Sequence, residues 1–577
     1  MKNLIISVRE LLMVFLTGIL IGVSFPTFSQ APDWEWAKSA GGTDYDRGDA
    51  IANSADGNLL VSGFFHGSAT FDTTELTSSL ALDVFIAKYT TAGDLLWAKS
   101  VASSASFAMP SAIYEDPSGN IYLAGTFGVY SPGGGSGDIA FDEVTAFTSW
   151  GNQDIFIAKY DPEGNFIWAR HIGSSWSDKI ASTMDNDGNI IFSGILWSTV
   201  YFNSTSDTLD PFHLFDIFLA KYDTIGSLIF YQHAASCTAV IEPQDVTTDD
   251  AGNIYLAGKY NGRPTFGLPV DSIDLEEDLF YNQGFIARYE PLLGFFTWAY
   301  SAGNTSYTDH PLTVNSTGAG KIIMSGIYIM SASFGFPPTI ITLTAPPAAG
   351  YGEMYLVQYD TSGSADWAIN AGHATGGSLY FRDAYHKGGY LYIAGDYSAG
   401  PATFGQGAEA VTIPFVHDLF VANYGETGDL DWVKVAGGYY YEGAESVVTD
   451  SLNNIFITGF YDLTCFFPGT SITLTAAGYE DIFVARLDDI SVSVYEKELD
   501  HDHFIFPNPA REDVTLNLGG VTNCVIQLFN LQGEVLFETK MNTRQIKLDV
   551  KDLPQGIYFI TVTDKTGNRV MSKMLKM

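Results

Sequence analysis

A unit of 62 to 71 residues recurs seven times along the chain and governs what it can fold into. Asp83-Val-Phe-Ile-Ala-Lys-Tyr89 returns in variant form at 154–160, 216–222, 284–289, 353–359, 418–424 and 481–487. A second signature, Gly57-Asn-Leu-Leu-Val-Ser-Gly63, returns at 119–125, 188–194, 252–258, 320–326, 389–395 and 454–459. A third, built on Trp36, returns at Trp97, Trp168, Trp298, Trp367 and Trp432, with Phe230 once in its place. Its first copy precedes the first unit and none follows the last. Apolar residues run consecutively through the first two signatures, as in strands buried on both faces. Turn residues such as Asp56-Gly-Asn58 and Ala92-Gly-Asp94 separate the strands. Repeats of this length bury a core only by stacking on one another.

The displaced tryptophan strand reads as closure: lent from the N-terminus, it completes the sheet begun by residues 445–487. The expected fold is all-β, a seven-bladed β-propeller over 30–490 closed by an N-terminal strand. With 58 Gly, 82 aromatics (Phe 40, Tyr 32, Trp 10) and only 16% charged residues, the composition suits short strands joined by tight turns. In each unit, called A to D by strand, the A–B and C–D turns are short. The D–A and B–C connections are long, for example 125–154 and 326–353, and are expected as variable loops on one face, the functional surface. Residues 34–487 also resemble bacterial β-propeller repeat families found in exported proteins.

The two ends read differently. Residues 1–29 carry Lys2 and Arg9, an apolar run from Leu11 to Val23, and small residues before Gln30, the pattern of a secretory signal peptide. No later run reaches the length needed to span a bilayer, so no transmembrane segment is expected in the mature chain. At the other end the acidity stops: the net charge is −38 overall, yet residues 504–577 hold nine Lys/Arg against seven Asp/Glu. Residues 491–503 read as a linker, and the short alternating strands of 504–577 as a small C-terminal β-sandwich. Phe506-Pro507-Asn508-Pro509, Leu528 to Gly533, Leu553-Pro-Gln-Gly556-Ile-Tyr558 and the basic end resemble the type A C-terminal sorting domain of the type IX secretion system. The resemblance implies a Bacteroidetes-type exported protein, secreted or held on the outer cell surface, with the secretion machinery as partner. Its sorting-motif residues are Pro507, Asn508, Pro509, Gly533, Gly556 and Tyr558.

Chemistry is harder to read. A chain this acidic is repelled by phosphate backbones, which excludes nucleic acid. Cys237, Cys465 and Cys524 are too few and scattered for a disulfide framework and are expected as small buried side chains. Asp185 to Asn189 and Asp249 to Asn253 look like calcium loops but lack the distal bidentate carboxylate, so they read as hairpin turns. The recurring Lys88, Lys159, Lys221, Arg288 and Arg486 suggest ion pairing within the ring, with the strand-C acids Asp83, Asp154, Asp216, Asp418 and Asp481 as partners. Acids and aromatics gather before strand A: Asp44, Tyr45, Asp46, Trp176, Asp178, Tyr307, Asp309, Tyr380, Asp383, Tyr441 and Glu442. Sevenfold convergence would set these ligand-binding candidates round one mouth, where rings stack on sugars. No catalytic or metal motif appears and no cofactor is expected, calcium being the one ion such carboxylates would hold. The expected function is a non-enzymatic binding or adhesion propeller for an extracellular polysaccharide or protein. The alternative is a secreted carboxylate-based hydrolase or lyase acting on polysaccharide.

Overall fold

The computed structural model describes residues 31–488 apart from 79–81, 105–106, 130–134, 176–179, 204–205, 214, 268–270, 277, 304–309, 319, 346–348, 399, 407–409, 414–417 and 439. It also describes 505–576 apart from 507–509, 518–523, 531–534, 542–544, 552 and 564–568. The leader (1–29) and linker (491–503) expected from sequence lie outside these residues. The chain divides into two compact units, 1–489 and 490–577. The described residues are all-β, with no helix among them.

In the first unit each repeat has a core of four antiparallel strands, extended in most by further strands and, in the last two repeats, joined into one larger sheet. Sheet 4 shows the pattern: A is Val240–Thr248, B Ile254–Gly262, C Asp278–Glu290 and D Phe295–Ala302. The other A strands are Arg47–Asn53, Phe107–Glu115, Ile180–Met184, His310–Ser316, Ser378–Lys387 and Glu442–Thr449. Each A strand packs on that of the next sheet, and that of sheet 7 packs on that of sheet 1. Sheet 7 takes its outer strand from the N-terminus: Trp34–Gly41 pairs antiparallel with Thr473–Leu487, Trp36 opposite Arg486 and Ala40 opposite Ile482.

The repeated signatures have physical causes. In six sheets one A-strand residue bulges out of register: Asp49, Ser111, Gln244, Leu312, Arg382 and Glu445. Beside each bulge the partner on strand B is the last glycine of the second signature. A Cβ on Gly63, Gly258 or Gly459 would lie 1.9, 2.3 or 1.9 Å from a strand-A carbonyl oxygen. Strand C lays an aromatic ring over the same glycine, Phe85 on Gly63 and Phe285 on Gly258. The tryptophans tie sheet to sheet: Trp36, Trp298 and Trp367 donate to Thr91, Thr361 and Glu426 carbonyls in the C–D turn of the next sheet.

Two expectations are corrected. The B–C connections are not free loops. Most fold into a hairpin that extends the outer edge of the preceding sheet: Asp138–Ala140 pairs with strand D of sheet 1, Val200–Phe202 with that of sheet 2, Pro264–Phe266 with that of sheet 3 and Ala402–Phe404 with that of sheet 5. Sheet 1 lends Ser68–Phe71 to the N-terminal strand of sheet 7. Covering an outer edge blocks pairing with another chain. Each hairpin carries a buried phenylalanine on the strand-C ring, as in Phe71–Phe85, Phe266–Phe285 and Phe404–Phe420 at 4.8, 5.0 and 4.8 Å. The strand-C lysines, in turn, pair with the A–B turn acids and not with the strand-C acids: Lys88 with Asp56 (2.8 Å), Lys159 with Asp116 (3.3 Å), Lys221 with Asp185 (2.7 Å). Lysine and acid stand at opposite ends of strand C, so the pairing first expected is out of reach. Strand-C acids instead face strand D, Asp154 bonding His171 at 2.6 Å and Asp83 accepting from Ser100 at 3.0 Å.

Cys237 and Cys465 are buried free thiols. In the second unit, Ile505–Phe506, Asp513–Asn517 and Gln545–Asp549 form one sheet. Val535–Met541, Cys524–Phe529, Gly556–Thr563 and Arg569–Lys576 form the other. Val514 and Leu548 of the first meet Ile526, Leu528, Tyr558 and Ile560 of the second in one core.

Candidate functional site

The A strands of all seven sheets line one cavity of about 500 Å³, within the range of small-molecule sites. A bulge re-aims a side chain, and here every bulged residue lines the cavity: Asp49, Ser111, Gln244, Leu312, Arg382 and Glu445. The next position adds Asp245, Thr313, Asp383 and Ser446. Ile51, Ile113, Val447, Tyr114 and Tyr385 make other parts of the wall apolar.

The carboxylates on this wall are braced. Asp245 accepts the Val246 and Val314 N–H groups, both at 2.8 Å, the second reaching across to sheet 5. Asp383 accepts from Ser446 Oγ and the Val447 N–H in sheet 7, at 2.8 and 3.0 Å. Burial nevertheless raises the Asp245 carboxyl to about 7 and pushes Asp383 and Asp49 upward. The bulged Glu445 lies between two guanidinium groups, in an ion pair with Arg47 and 3.8 Å from Arg382. Arg382 also holds Asp396 at 2.9 Å and donates to the Tyr441 hydroxyl at 2.8 Å. Arg47 lies 4.0 Å over the Phe460 ring, which Tyr441 approaches at 5.2 Å.

The residues predicted before strand A separate into two groups. Tyr45, Tyr380 and Tyr441 are exposed, with neighbours Tyr440 and Tyr479. Tyr45 and Tyr479 stack at 4.9 Å with 8° between their planes, and Asp44 lies 3.4 Å from His66. Asp46 and Glu442, expected among the ligand-binding candidates round the mouth, are both fully buried. Asp46 accepts the Gly42 and His66 N–H groups at 2.6 and 3.0 Å, tying its loop together. Burial is the first cause of its rise to about 7 and of the rise of Glu442 to about 9. Asp383 is on the cavity wall, inside the mouth. Trp176, Asp178, Tyr307 and Asp309 lie outside the described residues, so the mouth is described mainly at sheets 6, 7 and 1. Asp49, Arg47, Arg382, Glu445 and Gln244 were missed as candidates, because a bulge leaves no mark in the apolar pattern of one strand.

The calcium-like segments are closed turns. Asp185 accepts from the Asp187 and Asn189 N–H groups, the Asn189 amide and Lys221, and Asp249 is bonded in the same way to Ala251, Asn253 and Tyr255. Among the described residues no group of three or more His, Cys, Asp or Glu is arranged to hold a metal ion.

The buried carboxyls set a pH dependence. Each keeps its proton in the folded chain where the unfolded chain has lost it, so its stability is full below about pH 4 and falls as pH rises through the folded value. Those values are about 7 for Asp46 and Asp245, about 8 for Glu353 and about 9 for Glu442. The thermal midpoint is therefore expected to fall from about pH 4 to about pH 9, and Glu442→Gln to flatten the last part of that fall. Calorimetry across this window checks it; a flat or rising wild-type profile would refute it.

In the second unit Tyr558 is buried and donates to the Pro554 carbonyl at 2.8 Å, and Gly556 pairs with Lys576. Pro507, Asn508, Pro509 and Gly533 lie outside the described residues. Residues 504–577 match the family model of the secretion system C-terminal sorting domain. This is an all-β protein exported by type IX secretion to the cell surface or extracellular space, and its sorting domain implies interaction with that machinery. No helix among the described residues is long and apolar enough to cross a membrane.

The chain is 24% identical over 413 residues to the WD repeat-containing protein L264 of Acanthamoeba polyphaga mimivirus, covering 60% of this chain and 29% of L264. It is 30% identical over 87 residues to the endo-acting ulvan lyase of Formosa agariphila, covering 15% of this chain and 17% of the lyase. The chain thus spans less than a third of the length of either relative. Among solved structures it is similar to PorZ, a bacterial surface component of the type IX secretion system of Porphyromonas gingivalis. That likeness has 10% identity and a TM-score of 0.17, covering 94% of this chain and all of PorZ.

Proposed function

We propose that the seven sheets are the blades of a β-propeller over 30–490, closed by Trp34–Gly41, and that it is a non-enzymatic binding or adhesion module. Its ligand is an extracellular polysaccharide or protein, met at the mouth of the cavity, and the C-terminal domain delivers it. The order in which the A strands pack, the pairing of Trp34–Gly41 with Thr473–Leu487 and the cavity shared by seven A strands support the propeller. The WD-repeat relative supports it too. The observation carrying the binding role is the exposed tyrosine cluster: Tyr45 stacked on Tyr479, with Tyr380 and Tyr441 beside Arg382. Exposed rings offer apolar faces to sugars and to protein side chains alike.

The enzymatic reading draws on Asp245 and Asp383, two raised carboxyls on one cavity wall, and on the lyase relative. It is disfavoured because both accept N–H groups from the neighbouring sheet, which hold the side chains against the wall instead of aiming them at a substrate. An array of glycans and extracellular-matrix proteins, probed with the mature chain, tests the binding role. Binding weakened at least tenfold by Tyr441→Ala or Tyr45→Ala is expected. No binding across the array would overturn it, as would turnover of a bound polysaccharide that Asp245→Asn abolishes.

A further inference from the structure

We infer that the polar collar of bulged residues is a subsite for the end of a neutral, hydroxyl-rich chain such as an oligosaccharide, entering the cavity from the tyrosine-lined mouth. This rests on the binding role proposed above and names its ligand class. Three observations lead to it. First, the bulges project Asp49, Ser111, Gln244, Arg382 and Glu445 from five different sheets onto one cavity wall. The collar therefore presents carboxylate acceptors, guanidinium and amide donors and a hydroxyl together. A hydroxyl both donates and accepts, and a mixed collar matches several on one ring where a collar of one sign would not.

Second, charge argues against the ionic alternatives. Burial pushes Asp49 toward its neutral form, so Asp396 and Glu445 only balance Arg47 and Arg382 and leave no net positive charge to draw in an anionic sugar, while the two guanidinium groups holding Glu445 stand in the way of a cation. Third, the same arginine joins collar to rim. Arg382 lines the cavity, donates to the Tyr441 hydroxyl and lies 5.6 Å from the centre of the exposed Tyr380 ring. A chain stacked on the rim rings has its terminal residue led to the collar. The A strands of all seven sheets wall the cavity laterally, so a polymer enters it end first from the mouth and cannot be laid in from the side.

Isothermal titration of the mature chain with maltohexaose, cellohexaose, laminarihexaose, xylohexaose and mannohexaose tests this, with hexagalacturonate as the anionic comparison and α-cyclodextrin as a glycan without ends. Two variants probe the collar without touching the core: Gln244→Leu removes hydrogen bonding at constant size, and Ser111→Phe fills the collar from an exposed position. At least one neutral linear hexasaccharide is expected to bind, and each variant to weaken it tenfold or more with an unchanged thermal midpoint. Neutral binding that both variants leave intact would overturn the collar while sparing the rim. Preference for hexagalacturonate, or α-cyclodextrin binding as tightly as maltohexaose, would overturn the ligand class or the end-on mode. If no oligosaccharide binds, the inference falls; the binding role falls with it only if the matrix-protein array is silent as well.

Discussion

Gly258→Ala is expected to destabilise the chain by about 4 kcal/mol, whereas Gly252→Ala, six residues away on the same hairpin, costs about 1 kcal/mol. The two glycines have different reasons to exist. Gly252 sits in the A–B turn at φ +80° with nothing within 4 Å of a Cβ, so alanine meets only the backbone penalty of the left-handed region. Gly258 has no such φ, but a Cβ there would lie 2.3 Å from the Glu242 carbonyl oxygen and 2.6 Å from Cζ of Phe285. Neither neighbour can retreat. The carbonyl is drawn in by the bulge at Gln244, and Phe285 is fully buried and packed against Phe266 of the hairpin. Relief would mean erasing the bulge or expelling the ring. Urea unfolding followed by tryptophan fluorescence compares the variants, and equal losses would refute this account of the repeated glycine.

Deleting residues 30–42 is expected to abolish cooperative unfolding of the first unit. The strand Trp34–Gly41 is bonded to three sheets at once. Trp34, 2% exposed, packs edge-on against Phe467 at 5.0 Å in sheet 7 and donates to the Val435 carbonyl of sheet 6 at 3.2 Å. Trp36 donates to the Thr91 carbonyl of sheet 1 at 3.2 Å, and Glu35 pairs with Arg486 at 2.7 Å. Ala40 and Gly41 carry the hairpin that begins at Ser68. Removing a buried tryptophan side chain costs about 3–5 kcal/mol. Together, loss of Trp34, of the half-buried Trp36 and of the cover along the Thr473–Leu487 edge approaches the whole stability of an ordinary domain, about 5–15 kcal/mol. Light scattering and calorimetry on the deleted chain check this, and a synthetic peptide of residues 30–42 added in trans is expected to restore the transition. A deleted chain that melts like the wild type would mean the N-terminal strand closes nothing.

Much of the architecture could be read from the residues. Strands B and C are apolar at successive positions because both of their faces are covered, and that pattern survives in all seven units without reference to any partner. The single displaced copy of the tryptophan signature is enough to predict where the chain's first strand pairs. A signal for the lent hairpins was present but went unread: Phe71, Phe141, Phe202, Phe266, Phe334 and Phe404 stand at matching places in six units, all buried. Five of them end strands only three or four residues long and Phe141 directly follows one, too short a run for alternation to mark a strand.

The site was less accessible to such reading. Tyr45, Tyr380 and Tyr441 are at the surface, Tyr380 from within the strand Ser378–Lys387, yet Asp46 and Glu442, beside Tyr45 and Tyr441, are buried, and Asp46 ties its own loop together. Asp49, Gln244 and Glu445 face the cavity only because a bulge beside each rotates one residue out of the alternation. The sequence alone determined how many sheets form, where their turns fall and which end carries the export domain, because those follow from periodicity and turn chemistry within a few neighbouring residues. Which lysine meets which acid, which edge each hairpin covers and which polar side chains share one cavity were decided by the tertiary structure, because the first sets strand C against the A–B turn of its own unit and the other two depend on packing between neighbouring units.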